Sequence, residues 1–425
     1  MTQAGHAEQA AEILRAGLGR RGLLRATAAL GVAGAVGAPA AASAQTATRP
    51  PRVLQPGAGP IKGAYLRTTP ETVRWGVLPN RTATPVLTVS SGAVLTIDTV
   101  SHEGILEDQG RDPDAFFGDH GVRRDQVLSD ARAIAKSSLV HDFNADGPHV
   151  VTGPVAVRGA RPGDVLKIEV LELWPRVPYG VISNRHGKGA LPGEYPESIV
   201  NDPETRPYLN EFNNISVFTP VIAKRGRLHG AVPAGRGQAA FALSPFMGIM
   251  GVAIDTAEKV NSIPPTIAGG NLDINELGVG ATLYLPVQVP GGLFFTGDPH
   301  YAQGDGEVAL TAMEASLRGT FRLSVIKPGG RAPEIAFSYP FAETSDYWIP
   351  IGLSDPDGPV GGQHNSLDDA MKTAVRNALA FLHEELGMAK AVAYAYLSAA
   401  ADFEVSQVVD RTTGIHALIR KADFG

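Results

Sequence analysis

The chain has 425 residues, of which 44% are hydrophobic and 19% charged, and its formal net charge is −6 at pH 7. This is the composition of a globular protein large enough to bury a core, and the lack of a long basic run argues against nucleic acid as a partner. The chain has 0 Cys, which excludes disulfides, thiolate zinc clusters and a cysteine nucleophile.

The first 44 residues carry the three parts of a secretory signal in the expected order. Arg20 and Arg21 mark a positive region, an Ala/Gly/Val run spans 26–41, and Ala42-Ser43-Ala44 fits the small-residue cleavage rule. The paired arginines favour the twin-arginine route, and an amphipathic helix is the alternative. We therefore expect residues 1–44 to be a signal peptide and the remainder to be exported to the periplasm or the medium, with no stable membrane span.

Residues 45–62 are rich in Pro, Thr and Gly and are predicted to form a flexible leader before a domain that spans 63–425. In that domain, alternating apolar and polar residues predict strands, and the alternation is clearest over 164–174. Further strands are predicted at 72–78, 84–90, 93–98, 281–289 and 319–326.

The segment 175–220 is dense in Pro, Asn and Gly and is predicted to be a loop. Helix signals come late in the chain. Ser366 is a good N-cap for a helix that runs to Leu386, and residues 388–398 predict a second helix. The predicted fold class is therefore α+β and β-rich, with helices mainly near the C-terminus.

The densest group of polar side chains is Gly297–Glu307, which directly follows a short apolar strand. It combines carboxylates at 298, 305 and 307 with His300 and Gln303, and glycines lie among them. Glycine lets the backbone approach a bound species closely, while carboxylates and an imidazole offer metal ligands or a general base. A structural or calcium-binding loop is the alternative interpretation.

Two further segments carry potential ligands. Gly269–Asp273 places Asn271 and Asp273 after two glycines, a pattern that alone is more typical of a turn. His149 follows a segment, 141–147, that is rich in oxygen and nitrogen side chains. The chain lacks Gly-x-Ser-x-Gly, His-Glu-x-x-His, Gly-Gly-Ser-Ser-Gly-Gly and the P-loop motif, so serine-based and nucleotide-driven hydrolysis lose support.

These segments together resemble the acetamidase/formamidase family, whose members carry Gly-Gly-Asn-x-Asp and, after a strand, Gly-Asp-x-His-x-x-Gln-Gly-Asp-Gly-Glu. The two elements are Gly269–Asp273 and Gly297–Glu307 here, and the similarity extends from about Tyr65 to Lys421. The resemblance implies packed β-sheets or a barrel, subunits that associate as homo-oligomers, and hydrolysis of short linear carboxamides to carboxylate and ammonia. It also implies a divalent metal ion, for which we favour zinc over calcium.

We predict roles for individual side chains from their chemistry, although many members of that family place an aspartate near the position of His102. The expected metal ligands are His102, His149, Asp273 and His300. Glu307 is the expected general base, with Asp305 as the alternative, and Asn271 and Gln303 are expected to orient the substrate by hydrogen bonds. A metal can polarise the amide carbonyl and lower the pKa of a bound water, while a carboxylate moves protons.

Two other functions stay open for this sequence. A lactam or carbamate hydrolase would use the same scaffold, and an extracytoplasmic small-molecule binding protein would keep the fold without turnover. Asp305 and Glu307 argue against the second. The segments 108–142 and 183–189 look particular to this chain. They argue against assigning formamide or acetamide to this chain as its substrate on the basis of the family alone. The expected partners are a small amide and the twin-arginine export machinery.

Overall fold

The computed structural model describes residues 49–355 and 364–425, so the predicted signal peptide and the start of the predicted leader lie outside the described residues. Residues 49–62 contain no helix or strand. The Leu54 N–H donates to the carbonyl of Arg176 at 2.8 Å, and the Arg318 guanidinium donates to the carbonyl of Ala58. Among the described residues, no helix combines the length and the apolar character that a membrane crossing requires.

Twenty-two strands occur in the described part of the chain. They are β1 (Ala64–Leu66), β2 (Val73–Trp75), β3 (Val77–Leu78), β4 (Leu87–Ser90), β5 (Ala93–Asp98), β6 (Val150–Arg158), β7 (Val165–Pro175), β8 (Tyr179–Asn184), β9 (Ile215–Lys224), β10 (Arg227–Ala234), β11 (Gly237–Ala242), β12 (Phe246–Gly251), β13 (Val260–Asn261), β14 (Gly269–Asn271), β15 (Thr282–Pro286), β16 (Phe294–Ala302), β17 (Met313–Glu314), β18 (Leu317–Ile326), β19 (Phe341–Glu343), β20 (Tyr347–Leu353), β21 (Asp402–Gln407) and β22 (Gly414–Arg420). The α-helices are α1 (Pro113–Asp119), α2 (Ser129–Ala135), α3 (Leu367–Glu384) and α4 (Lys390–Ala400).

The first sheet has nine strands in the order β1-β5-β18-β7-β15-β19-β20-β22-β21. Its centre is the antiparallel pair β7 and β18, which runs the full length of both strands. In β7, Ile168 and Val170 are buried and the residues beside them are partly exposed. This strand is the one whose alternation is clearest in the sequence, because one of its faces packs against the core and the other does not.

The second sheet has eleven strands and branches at β16. The first half of β16 pairs with β6, its second half pairs with β17, and β12 lies along its other edge. The path continues from β17 through β8, β9 and β10 to β11. Three neighbouring strands therefore converge on the segment Gly297–Ala302, which contains most of the sequence motif singled out above.

The two sheets share one hydrophobic core. Leu95 and Ile97 of the first sheet and Val151 and Ile249 of the second are fully buried in the same cluster. The ring of Phe294 meets that of Phe321 with the centroids 5.7 Å apart. Interdigitation of apolar side chains from two facing sheets is what stabilises a layered β fold.

Helices α3 and α4 cover the end of the first sheet. The Ser366 Oγ accepts a hydrogen bond from the Asp369 N–H, as the predicted N-cap requires. Small side chains of α3, such as Ala370 and Ala374, let the helix lie directly on β20. A Cβ at Gly352 would lie 2.2 Å from the Ala374 nitrogen, so the close approach requires glycine at that position.

The β-rich fold class and the late helices are confirmed, and neither large sheet closes into a barrel within the described residues. The predicted loop at 175–220 is wrong at both ends, because β8 and the start of β9 lie within it. Pro178 precedes β8, and Pro220 lies within β9 at the end of its pairing with β8, opposite Tyr179. Proline at a strand end leaves the remaining ladder intact, and composition alone does not reveal this.

Candidate active site

The floor of the site is formed by β16, where Asp298 and His300 are two residues apart and so point to the same face. Across the ladder, Gly248 of β12 lies between Met247 and Ile249, the partners of Pro299 and Gly297, and so faces Asp298. A Cβ at Gly248 would come within 2.4 Å of Asp273 Oδ1 and 2.7 Å of Asp298 Oδ2. Glycine at 248 therefore keeps open the space in which these carboxylates meet.

Three histidines surround Asp298. His300 Nε2 lies 3.1 Å from Asp298 Oδ2, His102 Nδ1 lies 3.6 Å from Oδ1, and His149 Nε2 lies 3.7 Å from Oδ2. The rings of His102 and His149 meet edge to face. Chain segments far apart in sequence thus deliver imidazoles to a single carboxylate.

Two neighbours fix how His300 is presented. The Gln303 Oε1 lies 3.1 Å from His300 Nδ1, while the Gln303 amide donates to the carbonyls of Asp273 and Ser406. Because the amide oxygen only accepts, His300 Nδ1 carries the hydrogen and Nε2 faces the site. Glu314 of β17, the cross-strand partner of His300, places Oε1 2.9 Å from that nitrogen.

A second group of carboxylates lies beside the first. Asp273, Glu307 and Asp410 are all buried, and Asp273 Oδ1 lies 3.8 Å from His300 Nδ1. Burial, and next the charge of Asp410, raise the pKa of Glu307 well above its usual value. Burial raises the pKa of Asp410 to about 8. Without a cation, protons would have to neutralise these side chains.

The backbone at the site adopts an uncommon conformation at three of its acidic residues. Asp273, Asp298 and Glu307 have φ values of 50°, 48° and 47°. Side chains other than glycine occupy this left-handed region at an energetic cost, and such residues concentrate at functional sites. The carboxylates of Asp273 and Asp298 both lie against the open Cβ position of Gly248.

The charges of the histidines respond to this environment in different ways. Burial opposes ionisation of Asp298, but His149 and His300 nevertheless hold its pKa well below its usual range. Burial also opposes a charge on His102, but Asp298 and Glu103 raise the pKa of His102 to about 10. Burial lowers the pKa of His149 to about 4, which leaves a neutral imidazole suited to binding a metal.

The donor atoms of the site fit a cation. Among the described residues, nine buried side-chain atoms here make no hydrogen bond: His102 Nδ1 and Nε2, Asn271 Oδ1, Asp273 Oδ1 and Oδ2, Asp298 Oδ1, His300 Nε2, Glu314 Oε2 and Asp410 Oδ2. Each unsatisfied buried polar atom costs about 1–3 kcal/mol. Three sets of side chains bring ligand atoms close enough to share an ion: His102, His149 and Asp298; Asp298, His300 and Glu314; and Asp273, His300 and Glu307.

A cavity of about 540 Å³ opens above this floor. His102, His149, Asn271 and Glu307, all predicted from the sequence, line it together with Asp298. Predicted ligands Asp273 and His300 lie beneath the lining, in contact with it. The structure brings these six predicted residues together.

The remaining two predicted residues lie elsewhere. Gln303 lies behind His300 and has both ends of its amide engaged within the protein. Asp305 does not line the cavity. Its Oδ1 accepts a hydrogen bond from the Asn275 amide at 2.9 Å, on the side where Glu404 and His416 lie.

Part of the cavity wall comes from the two segments that look particular to this chain, His141 from 108–142 and residues 185–189 from 183–189. Leu106, Phe143 and Phe212 supply apolar surface, and 185–189 forms part of the rim. Arg185 is buried and donates to Asp108 Oδ2 at 2.8 Å and to Glu103 Oε1 at 3.0 Å. Glu103 Oε1 in turn lies 3.4 Å from His102 Nε2, so these segments reach the floor through an ion-pair network.

Sequence reasoning missed several residues of the site. Asp298 is part of the singled-out motif but was not assigned a role, and its i, i+2 spacing from His300 in a strand is the signal that could have found it. Glu314 and Asp410 carry no comparable local signal, because Glu314 reaches the site through the pairing of β17 with β16 and Asp410 through the turn between β21 and β22. Glu103 directly follows the predicted ligand His102 in the sequence, and this adjacency is the signal that could have found it.

Comparison with known proteins agrees with this geometry. A sequence profile of the Acetamidase/Formamidase family matches residues 242–419. A formamidase of Methylophilus methylotrophus is 27% identical over 319 residues, which are 64% of this chain and 75% of that protein. An acetamidase of Mycolicibacterium smegmatis is 27% identical over 218 residues, which are 40% of this chain and 51% of that one. The chain spans about half the length of two of the curated relatives that it matches.

The fold is also similar to solved structures. The crystal structure of an acetamidase from Bacillus halodurans superposes with a TM-score of 0.61 and 26% identity, covering 85% of this chain and 98% of that one. The family profile covers Gly269–Asp273 and Gly297–Glu307, the two elements on which the sequence resemblance was based. Residues 242–419 therefore match the acetamidase/formamidase family, and the fold is similar to that of a solved acetamidase.

Proposed function

We propose that this protein hydrolyses the C–N bond of linear carboxamides to a carboxylate and ammonia, with a divalent cation held around Asp298. The observation that carries the proposal is that Asp298 contacts three histidines at the floor of a cavity, within 3.1–3.7 Å. Zinc is the favoured ion because imidazole and carboxylate are its usual ligands, whereas calcium takes oxygen ligands.

The residues that would hold the ion are His102, His149, Asp298 and His300, with Glu314 beside His300. The predicted ligand Asp273 belongs to the adjacent set with His300 and Glu307. Bound at such a site, a cation polarises a carbonyl oxygen and lowers the pKa of a bound water to about 7.

The chain's own side chains supply the proton transfers and the orientation. Glu307 lines the cavity, and with a nearby cation to keep it ionised it can take a proton from water and return it to the departing nitrogen. Asn271 Oδ1 has no hydrogen bond within the described part of the chain, and it can accept one from the substrate amide N–H. Gln303 keeps His300 in the tautomer that presents Nε2.

The cavity is larger than formamide or acetamide requires. Its volume of about 540 Å³ lies in the range of pockets that bind drug-sized ligands. Leu106, Phe143, Phe212 and Ile263 give it apolar wall. We therefore propose that linear amides with longer acyl chains are better substrates than acetamide.

We further propose that the enzyme works outside the cytoplasm after twin-arginine export and removal of residues 1–44. Arg20 and Arg21 followed by the apolar run support this. Replacing both arginines by Lys should leave full-length precursor in the cytoplasm, as seen by fractionation. Normal processing and export of that variant would contradict the route.

A panel of linear amides, lactams and carbamates, assayed for ammonia, acid and ring-opened products, tests the reaction. We expect ammonia release from linear amides by the metal-loaded protein and its loss after prolonged chelation. The matched variant is Asp298→Asn, which keeps the shape of the side chain and removes its charge. Turnover of lactams alone, or unchanged turnover in a preparation shown by elemental analysis to contain no metal, would overturn the proposal.

A further inference from the structure

A second cluster of titratable side chains lies outside the candidate active site. His416 of β22 and Glu404 of β21 are cross-strand partners, and Glu276 comes from the segment that follows Asp273. His416 Nε2 lies 3.0 Å from Glu276 Oε2 and 3.6 Å from Glu404 Oε2. The cluster shares none of its side chains with the floor around Asp298.

His416 is fully buried and aims an unsatisfied nitrogen into this cluster. Its Nδ1 lies 2.8 Å from Ser406 Oγ, whereas Nε2 and Glu276 Oε2 are buried without a hydrogen bond among the described residues. The Ser406 hydroxyl can donate to Nδ1 or accept from it, and when it accepts, His416 presents a lone pair at Nε2. A lone pair that faces two carboxylates requires a positive charge between them, which either a proton or a metal ion can supply.

The spacing of the three ligand atoms fits one small cation. Ligands about 2.0–2.1 Å from a tetrahedral zinc ion are separated by about 3.3 Å from one another. The two distances from His416 Nε2, 3.0 and 3.6 Å, bracket that value. The side chains of Glu276 and Glu404 are 19% and 31% exposed, so an ion can reach the cluster from solvent.

We propose that Glu276, Glu404 and His416 bind a second divalent cation, of the Zn²⁺ class, at a structural site behind the candidate active site. The site joins the segment after Asp273 to the terminal hairpin β21–β22. The same hairpin contacts the motif loop, because the Gly306 N–H donates to the Val405 carbonyl at 2.7 Å. The ion thus connects the segment after Asp273 to the hairpin, and the hairpin in turn contacts the loop that carries Glu307.

Asp305 lies beside this second site. Burial and the charge of Glu404 raise the pKa of Asp305, whereas His416 opposes that shift. A cation beside Glu404 would favour the ionised form of Asp305. Asp305 is held by the Asn275 amide, one residue before Glu276, so it belongs to the surroundings of this second site.

The competing interpretation is that a proton takes the place of the ion. Burial opposes a charge on His416, but Glu276 and Glu404 raise its pKa to about 9. In that case His416 is an imidazolium in a buried ion pair, and the cluster has no affinity for metals. Counting bound ions separates the two interpretations.

The experiment compares the full chain with the Glu404→Gln variant after both have been stripped of metal, titrated with Zn²⁺ and analysed for bound zinc. We expect Glu404→Gln to bind one ion per chain fewer than wild type. The matched control is Asp402→Asn, which removes an exposed carboxylate two residues away on β21. It should bind as many ions as wild type.

Zinc should also stabilise the chain through this site. At about 100 times the dissociation constant of the site, bound Zn²⁺ should raise the Tm of wild type by roughly 5 °C, and this increment should be missing in Glu404→Gln. Glu276→Gln serves as a second variant, with the same expected loss. Equal zinc counts in wild type and both variants would overturn the site. If the site around Asp298 bound no zinc, the number of zinc ions per chain would be lower by the same amount in wild type and in both variants. The difference between wild type and the variants would remain.

Discussion

Gly248 faces Asp298 across the β12–β16 ladder, and a Cβ at position 248 would lie 2.7 Å from Asp298 Oδ2. No real side chain fits at that distance without a shift of the carboxylate, of Asp273 on the other side, or of the strand itself. The absence of a side chain at 248 is therefore part of the site geometry.

We expect Gly248→Ala to lower zinc affinity and amide turnover by at least about tenfold, because the site geometry tolerates shifts of only about 0.5 Å. Competition with a chromogenic chelator measures the affinity. Gly118→Ala is the matched control, since a Cβ there meets nothing within 4 Å. Wild-type affinity in Gly248→Ala would show that the carboxylates do not need this space.

Glu103 links the buried Arg185 to His102 and should position that histidine. Glu103→Gln keeps the side-chain shape but removes the charge that faces His102 Nε2 at 3.4 Å. Loss of such a partner typically lowers metal affinity about 10–100-fold. Glu107→Gln, in the same segment but paired with His141, should leave the affinity unchanged. Equal metal affinities of Glu103→Gln and Glu107→Gln would show that Glu103 and Arg185 stabilise the fold and do not position His102.

Sequence patterns predicted the fold where one physical rule decides the local structure. The alternation in β7 and the Ser366 cap of α3 are such cases, and both were confirmed. The 297–307 motif identified the right region, but it was interpreted as a ligand loop although Asp298 and His300 lie in β16. A strand buried on both sides loses its alternation, so that motif did not look like a strand.

The remaining parts of the site depend on pairing between distant segments. Glu314 reaches His300 because β17 pairs with β16, and Arg185 reaches Glu103, beside His102, across 82 residues of chain. Nothing within a few residues of Glu314 or Arg185 indicates this. Asp305 shows the converse case, because its neighbour in sequence, Glu307, lies in the cavity while Asp305 points to the second cluster.

Substrate preference should follow the apolar walls of the cavity. Each buried methylene contributes about 0.8 kcal/mol, which is up to about fourfold in kcat/KM per added carbon. We expect kcat/KM to rise from acetamide through butyramide to hexanamide. Phe212→Ala should flatten this series without changing acetamide turnover, because Phe212 is an exposed part of the wall. A steady fall of kcat/KM with the length of the acyl group in wild type would show that the cavity does not admit longer acyl groups.

Glu307 is the expected general base, and Glu307→Gln keeps its shape while removing the proton acceptor. Loss of a general base typically lowers the rate about 10²–10⁴-fold. We expect kcat to fall within that range while the Tm stays within a few degrees of wild type. Asp305→Asn is the matched control, because Asp305 does not line the cavity. A larger fall in kcat for Asp305→Asn than for Glu307→Gln would exchange their roles.

The most direct test is to titrate metal-free protein with Zn²⁺ and measure bound zinc and ammonia release from a linear amide in the same samples. We predict that turnover rises in proportion to the ion that Asp298→Asn fails to bind, and that zinc bound by Asp298→Asn restores no activity. Full turnover before that ion binds, or undiminished turnover in Asp298→Asn, would contradict metal-assisted amide hydrolysis at this site.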